Sequence, residues 1–249
     1  MPRRSSVGGL FAPIGGLGRD PWNKATGGTE ATITNYNGTG QTWKTHTFTG
    51  ASSLVVTKNP LPFSVLMVAG GGCGGTGTPN GSGGGGGGGG VWNTTSATLA
   101  VTTHSVTIGA GGPPDNGDYY PSGANYGGDT ALGSLTCGGG GTGGTGHWEG
   151  KKPEGGGSGG RSGTQANGSA GGAGSADNNP SAGGGGDTVS TISGTSTHYG
   201  VGGTYAAGGG PQGVTDANPG AGGGGYMPVG SPASQGGRDG IVIVAYQIG

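Results

Sequence analysis

Apolar residues gather in three parts of the chain: residues 43–70, residues 91–108 and the last nine positions. In the first, WKTHTF (43–48) sets Trp43, Thr45 and Thr47 against Lys44, His46 and Phe48, a period-two alternation rich in β-formers. SSLVVTK (52–58) follows, with Gly50 and Asn59-Pro60 as turn signals. In the second, VWNTTSATLAV and HSVTIGAG alternate in the same way. FSVLMVAG (63–70) and the Ile241-Val-Ile-Val-Ala-Tyr246 segment are unbroken apolar runs, the mark of strands buried on both faces. Far apart in sequence, these two are predicted to be neighbours in the middle of one sheet. Residues 129–137 predict one more short hairpin, and no stretch has the period of an amphipathic helix of useful length. The pattern predicts an all-β protein.

Glycine changes that picture. It supplies 73 of 249 residues, against 32 Leu, Ile, Val and Phe combined. Residues 70–90 hold 15 glycines in 21 positions, including the unbroken Gly83–Gly90. Ordering one residue's backbone costs about 1–2 kcal/mol, most of all for glycine. With no side chain to bury, such a run recovers that cost only by pairing its N–H and C=O groups with neighbouring chain. A polyglycine helix of the polyproline-II type, three residues per turn, permits this because adjacent helices approach closely. The alternative is a flexible linker, but linkers join domains, whereas these runs recur inside one β-core. No strict every-third-residue glycine register is present, which excludes collagen.

Ten basic and eleven acidic residues give a net charge of −1. That balance leaves no basic surface for nucleic acid or an anionic membrane. No run of 18 apolar residues is present for membrane insertion. Residues 7–17 (VGGLFAPIGGL) are broken by glycine and proline, unlike the continuous apolar core of a secretory signal. Residues 1–40 differ from the rest. Leu10, Phe11, Ile14, Leu17 and Trp22, spaced by glycine and proline, read as an extended arm that attaches to another surface, with a frayed terminus as the plainer reading.

Chemistry-bearing motifs are scarce. At this glycine content GxGxxG arises by chance and carries no dinucleotide signal. GxxxxGK[ST], HExxH and CxxC are all absent. His46, His104, His147 and His198 are widely spaced, Gly171–Asp177 matches a calcium β-roll repeat only superficially, and Asp115–Asp118 is a generic turn. Cys73 and Cys137 each sit where a strand meets glycine; they either pair or remain two small buried thiols, the simpler reading for two cysteines in this length. No catalytic residue, cofactor or metal ligand is expected, and the chain is not expected to be an enzyme.

The breaks between glycine runs have a distinct composition. They include PPDNGDYYPSGANY (113–126), HWEGKKPE (147–154), TSTHYGVGGTY (195–205) and YMPVGSPAS (226–234). Loops on a rigid scaffold are where recognition residues concentrate. Tyr119, Tyr120, Tyr126, Trp148, Tyr199, Tyr205 and Tyr226 are therefore candidate recognition residues. The competing reading is that these aromatics only cover glycine backbone.

A β-region ending in VLMVAGGGCGG, a polyglycine run re-entering as GGVWNTTSATLAV, then HSVTIGAGG, GGDTAL and a closing GGRDGIVIVAYQ resembles the glycine-rich domain of minor tail proteins of tailed bacteriophages. The resemblance covers residues 42–249. It implies an antiparallel β-sandwich core with inserted polyglycine-II helices, long loops and essentially no α-helix. The division expected is an attachment arm over 1–40 and a glycine-rich β domain over 41–249, with a β-core from 41–112 plus 235–249 and an insertion over 113–234. The function implied is that of a structural protein at the tail tip or a fibre, presenting loops for host attachment. Its partners would be other tail proteins and bacterial envelope glycan. A homo-oligomer, taken as a trimer, would be located in the virion tail and in the host cytoplasm during assembly. Alternatives are a head decoration protein and a secreted or cell-surface binding module.

Overall fold

In a computed structural model of the chain, residues 24–58, 62–76, 83–114, 125–144, 188–203, 218–224 and 235–248 are described. The alternating stretches become strands: β1 (Ala25–Thr26), β2 (Thr29–Ile33), β3 (Trp43–Phe48), β4 (Ser52–Val56), β5 (Phe63–Val68), β6 (Val91–Ala97) and β7 (Thr103–Thr107). After these come β8 (Thr130–Leu132), β9 (Leu135–Cys137), β10 (Thr188–Ser190), β11 (Thr197–Tyr199) and β12 (Ile241–Gln247). A 3-10 turn at Tyr36–Gly38 is the one helical element among the described residues.

The strands form two five-stranded antiparallel sheets, β1-β4-β7-β8-β9 and β2-β3-β12-β5-β6, with β10-β11 as a separate hairpin. This is the expected all-β sandwich. β12 lies between β3 and β5, pairing Val242 with both Phe48 and Met67, so the two unbroken apolar strands are adjacent at the sheet centre. Alternate side chains explain why both faces are buried. Phe63, Val65 and Met67 join Val242, Val244 and Tyr246 in the core shared with Leu54, Val106 and Leu132 of the opposite sheet. Leu66 and Val68 point outward with Ile241 and Ile243, where Ile192 and Tyr199 of the hairpin region cover them. The hairpin predicted at 129–137 is β8 and β9, turning at Gly133 with φ 60°.

Two boundaries differ from expectation. β1 and β2 lie within the segment read as an attachment arm, yet β1 pairs with β4 and β2 with β3. β2 has four of its five residues exposed, so its sequence carries no apolar alternation to announce it. β8 and β9 fall in the expected insertion but belong to the first sheet.

Seven of the described glycine-rich segments adjoin strands. Residues 70–76 follow β5, 83–90 lead into β6, 109–112 follow β7, 125–128 lead into β8, 138–144 follow β9, 200–203 follow β11 and 235–240 lead into β12. Along 70–75 the backbone donors turn through three neighbours in order. Gly70 donates to Gly128, Gly71 to Arg238 and Gly72 to Gly87; Cys73, Gly74 and Gly75 then return to the same three segments at Asn125, Gln235 and Gly84. Its carbonyls accept from Gly140, Gly112 and Gly223, which lie in three further segments. The central run is thus hydrogen-bonded on six sides with a period of three residues, and residues 70–76 and 83–90 are wholly buried. The spacing leaves no room for a Cβ: one added at Gly71 would lie 2.1 Å from the Ala221 carbonyl oxygen, and one at Gly89 the same distance from that of Ala69.

Where strands give way to glycine, side chains accept from backbone donors. Asp129 accepts from the Gly139 N–H at 2.9 Å, Asp239 from Gly111 at 2.7 Å and Thr130 Oγ1 from Gly109 at 2.9 Å. These are polar residues of the GGDT and GGRDG motifs, so the motifs mark junctions between the sheets and the glycine runs.

Candidate functional site

The segment between β2 and β3 (NYNGTGQ, 35–41) is folded tightly on itself. Asn35 and Asn37 both adopt left-handed backbone conformations, which asparagine tolerates better than other side-chain-bearing residues. Asn35 Oδ1 accepts from the Gly40 N–H at 2.8 Å, Thr39 Oγ1 donates to the Tyr36 carbonyl at 2.6 Å, and the Tyr36 N–H donates to the Gln41 carbonyl at 2.9 Å. The result fixes Tyr36 against Trp43, ring centroids 4.6 Å apart and planes 23° from parallel. Gln41 Oε1 accepts from the Trp43 indole N–H at 3.2 Å, holding the ring in plane. Burial pushes the Tyr36 phenol pKa up, keeping it protonated.

This aromatic pair forms one wall of a cleft of about 410 Å³ on the outer face of the β2-β3-β12-β5-β6 sheet. Ser64 of β5 and Asn93 and Thr95 of β6 form the floor, and residues 189–192 of the hairpin form the far wall. Among the described residues, no Asp, Glu, Lys, Arg or His lines it. Ser64 is only 4% exposed, and its hydroxyl, like the side chains of Asn93 and Thr95, makes no hydrogen bond to another described residue.

A second polar group lies inside the sandwich. His46 is fully buried, its Nδ1 2.8 Å from the Gly27 carbonyl oxygen and its Nε2 3.3 Å from the Tyr246 hydroxyl. That hydroxyl also accepts from the backbone N–H groups of Lys24 and Ala25, and so ties β1 to β12. Burial lowers the His46 pKa, opposed by the Gly27 carbonyl and by Glu30, whose carboxylate is 3.7 Å away and also pairs with Lys44 at 2.7 Å. This network ties β1, β2, β3 and β12 together. No group of three or more His, Cys, Asp or Glu side chains able to hold a metal occurs among the described residues.

Of the sequence candidates, Tyr126 is described and 39% exposed. Tyr199 is not a surface residue: at 2% exposure it is the inward-facing end of β11, packed with Leu66, Val68 and Ile243, and it has no face left for a ligand. Tyr119, Tyr120, Trp148, Tyr205 and Tyr226 lie outside the described residues, as do Leu10, Phe11, Ile14, Leu17 and Trp22. Cys73 and Cys137 are both buried, and no disulfide joins them.

A family model described as a glycine-rich domain matches residues 45–247. The chain belongs to that glycine-rich domain family. The match begins inside β3 and ends at the last residue of β12, so the glycine-rich domain takes in the sandwich and its runs together, while β1, β2 and the Tyr36 turn precede it. A comparison with curated proteins finds no match. The sequence pattern puts Trp43 in a strand and leaves Tyr36 unassigned. The signal was present in the glycine-rich domain's approach segment, where NYNGTGQTW has the aromatic and amide composition of the loops singled out elsewhere.

Proposed function

We propose that this glycine-rich domain is a structural protein of a bacteriophage tail, a minor tail protein of the tip or a fibre, that holds loops out for attachment to the host surface. The observation carrying this reading is the three-residue hydrogen-bond rotation along residues 70–75, which we interpret as a polyglycine-II bundle. Such a bundle has almost no side-chain freedom and is rigid, the property a display scaffold requires. Register places several run ends together. Gly75 pairs with Gly84, Gly84 with Gly144, Gly74 with Gln235 and Gln235 with Gly224, all at the end remote from the sheets. Residues 75, 84, 144, 224 and 235 therefore cluster at one end of the runs, and in sequence Trp148 and Tyr226 follow 144 and 224.

The partners on this reading are other tail proteins, met through residues preceding β1, and bacterial envelope glycan. The test is quantitative mass spectrometry of purified particles, with immunogold labelling to place the protein and removal of residues 2–23 to test attachment. A few copies at the tail, lost from particles on truncation, is the expected result. Hundreds of copies on the head would make it a decoration protein, and absence from particles would make it a free binding module.

A further inference from the structure

We propose that the cleft between Tyr36–Trp43 and the β10-β11 hairpin is a binding site for a neutral sugar ring, one unit of a surface glycan. The idea deepens the attachment reading by naming a ligand class, and rests on that reading only for where the glycan comes from. Four observations support it. First, Trp43, half-exposed and stacked on the buried Tyr36, offers a flat apolar surface, and the C–H face of a pyranose packs against such a surface as other apolar groups do. Second, the described lining residues carry no formal charge, so a charged ligand would be desolvated without compensation from them, whereas hydroxyls need only neutral donors and acceptors. Third, these are present and uncommitted: the Ser64 hydroxyl is almost fully buried and, with the side chains of Asn93 and Thr95, lacks a hydrogen-bond partner among the described residues. A buried hydroxyl left in that state costs stability that a ligand hydroxyl restores. Fourth, the wall is pre-formed. The Asn35, Thr39 and Gln41 hydrogen bonds fix both rings before any ligand arrives, which reduces the ordering cost of binding. At about 410 Å³ the cleft falls in the range of small-ligand sites and accommodates one or two sugar units.

The test is a titration of the isotope-labelled full chain with glucose, galactose and N-acetylglucosamine, followed by amide and indole resonances, with sodium glucuronate as the charged control. At least one neutral sugar is expected to shift the Trp43 indole N–H and the Ser64 and Thr95 amides saturably, with a dissociation constant on the order of 1 mM. Glucuronate is expected to bind at least about tenfold more weakly, which is about 1.4 kcal/mol. Asn93 is exposed, so Asn93→Ala and Asn93→Trp leave the core intact. The first is expected to weaken binding several-fold, and the second, by filling the cleft, to abolish it at an unchanged melting temperature. No shift at the cleft with any of the three sugars, or shifts that survive Asn93→Trp, overturns the proposal. A protein that joins particles without sugar shifts refutes the cleft alone. Sugar shifts in a protein absent from particles refute the tail assignment alone.

Discussion

Replacing Gly72 with alanine isolates the packing of the glycine bundle from every other contribution to stability. Its φ is outside the left-handed region, so the backbone conformation itself accepts alanine, and reduced freedom of the unfolded chain would favour the variant by about 0.4–1 kcal/mol. Against this, the new methyl carbon would lie 2.1 Å from the Gly141 carbonyl oxygen, 2.5 Å from its carbon and 2.8 Å from the Gly140 oxygen. All three are backbone atoms, so no rotamer change relieves the contact; residues 138–144 must move by more than about 1 Å to restore van der Waals separation. That run is held to residues 70–73 by the Gly140-to-Gly70 and Gly143-to-Cys73 bonds, each 2.8 Å, and both are strained by the shift. Overpacking costs roughly 1–3 kcal/mol and each weakened hydrogen bond about 0.5–1.5 kcal/mol, for a net loss of about 3 kcal/mol after the entropic gain. In a chain of this length each kcal/mol moves the midpoint by roughly 2–4 °C, so the melting temperature should fall by roughly 6–12 °C. Gly50→Ala is the control: nothing lies within 4 Å of its added carbon and its φ is ordinary, so it should melt at or slightly above the parent temperature. The assay is thermal unfolding followed by circular dichroism, with urea midpoints as a second measure. If Gly72→Ala and Gly50→Ala melt within about 2 °C of each other, the runs are not close-packed and the reasoning is wrong.

Two further outcomes follow from buried titratable groups. Burial depresses the His46 pKa below its unfolded value near 6.5, so the unfolded chain binds the proton more readily; stability should be level above about pH 6.5 and decline as pH falls through the lowered folded value, and His46→Gln should flatten the urea midpoint between pH 7 and 5. Burial also raises the Cys137 thiol to about 12, and its Sγ lies 3.7 Å from the Met67 carbonyl as a donor, so iodoacetamide should leave Cys137 unlabelled in native protein and label it fully in denaturant, as read by mass spectrometry; native labelling, or an intramolecular disulfide in the denatured sample, would contradict the buried free thiol.

The sheet centre was legible because FSVLMV and IVIVAY are apolar at every position, and only a strand covered on both sides has use for that. The covering elements were harder. β10 and β11 are three residues each, TVS and THY, too short for a period to register, and Tyr199 looked like a loop aromatic until its inward side of the hairpin was known. β2 was hidden because an exposed edge strand is selected for polarity. The cleft depends on four segments far apart in sequence, 36–43, Ser64, 93–95 and 189–192, and no local pattern encodes their meeting. The three-residue rotation was unreadable for a related reason: glycine carries no side chain to show which way a position faces, so facing is defined only by hydrogen-bond partners.

That rotation gives the glycine runs something like a reading frame. Deleting one residue from the middle of 83–90 would turn every later N–H by about a third of a turn. Gly87 and Gly90 would no longer face 138–144, and Gly89 would no longer face Gly220. Removing three residues shortens the run by one turn and restores each direction. Homopolymeric glycine would ordinarily tolerate slippage of any length. In these runs, length variation should be tolerated in steps of three, so the number of glycines between two strands carries information that their identity does not.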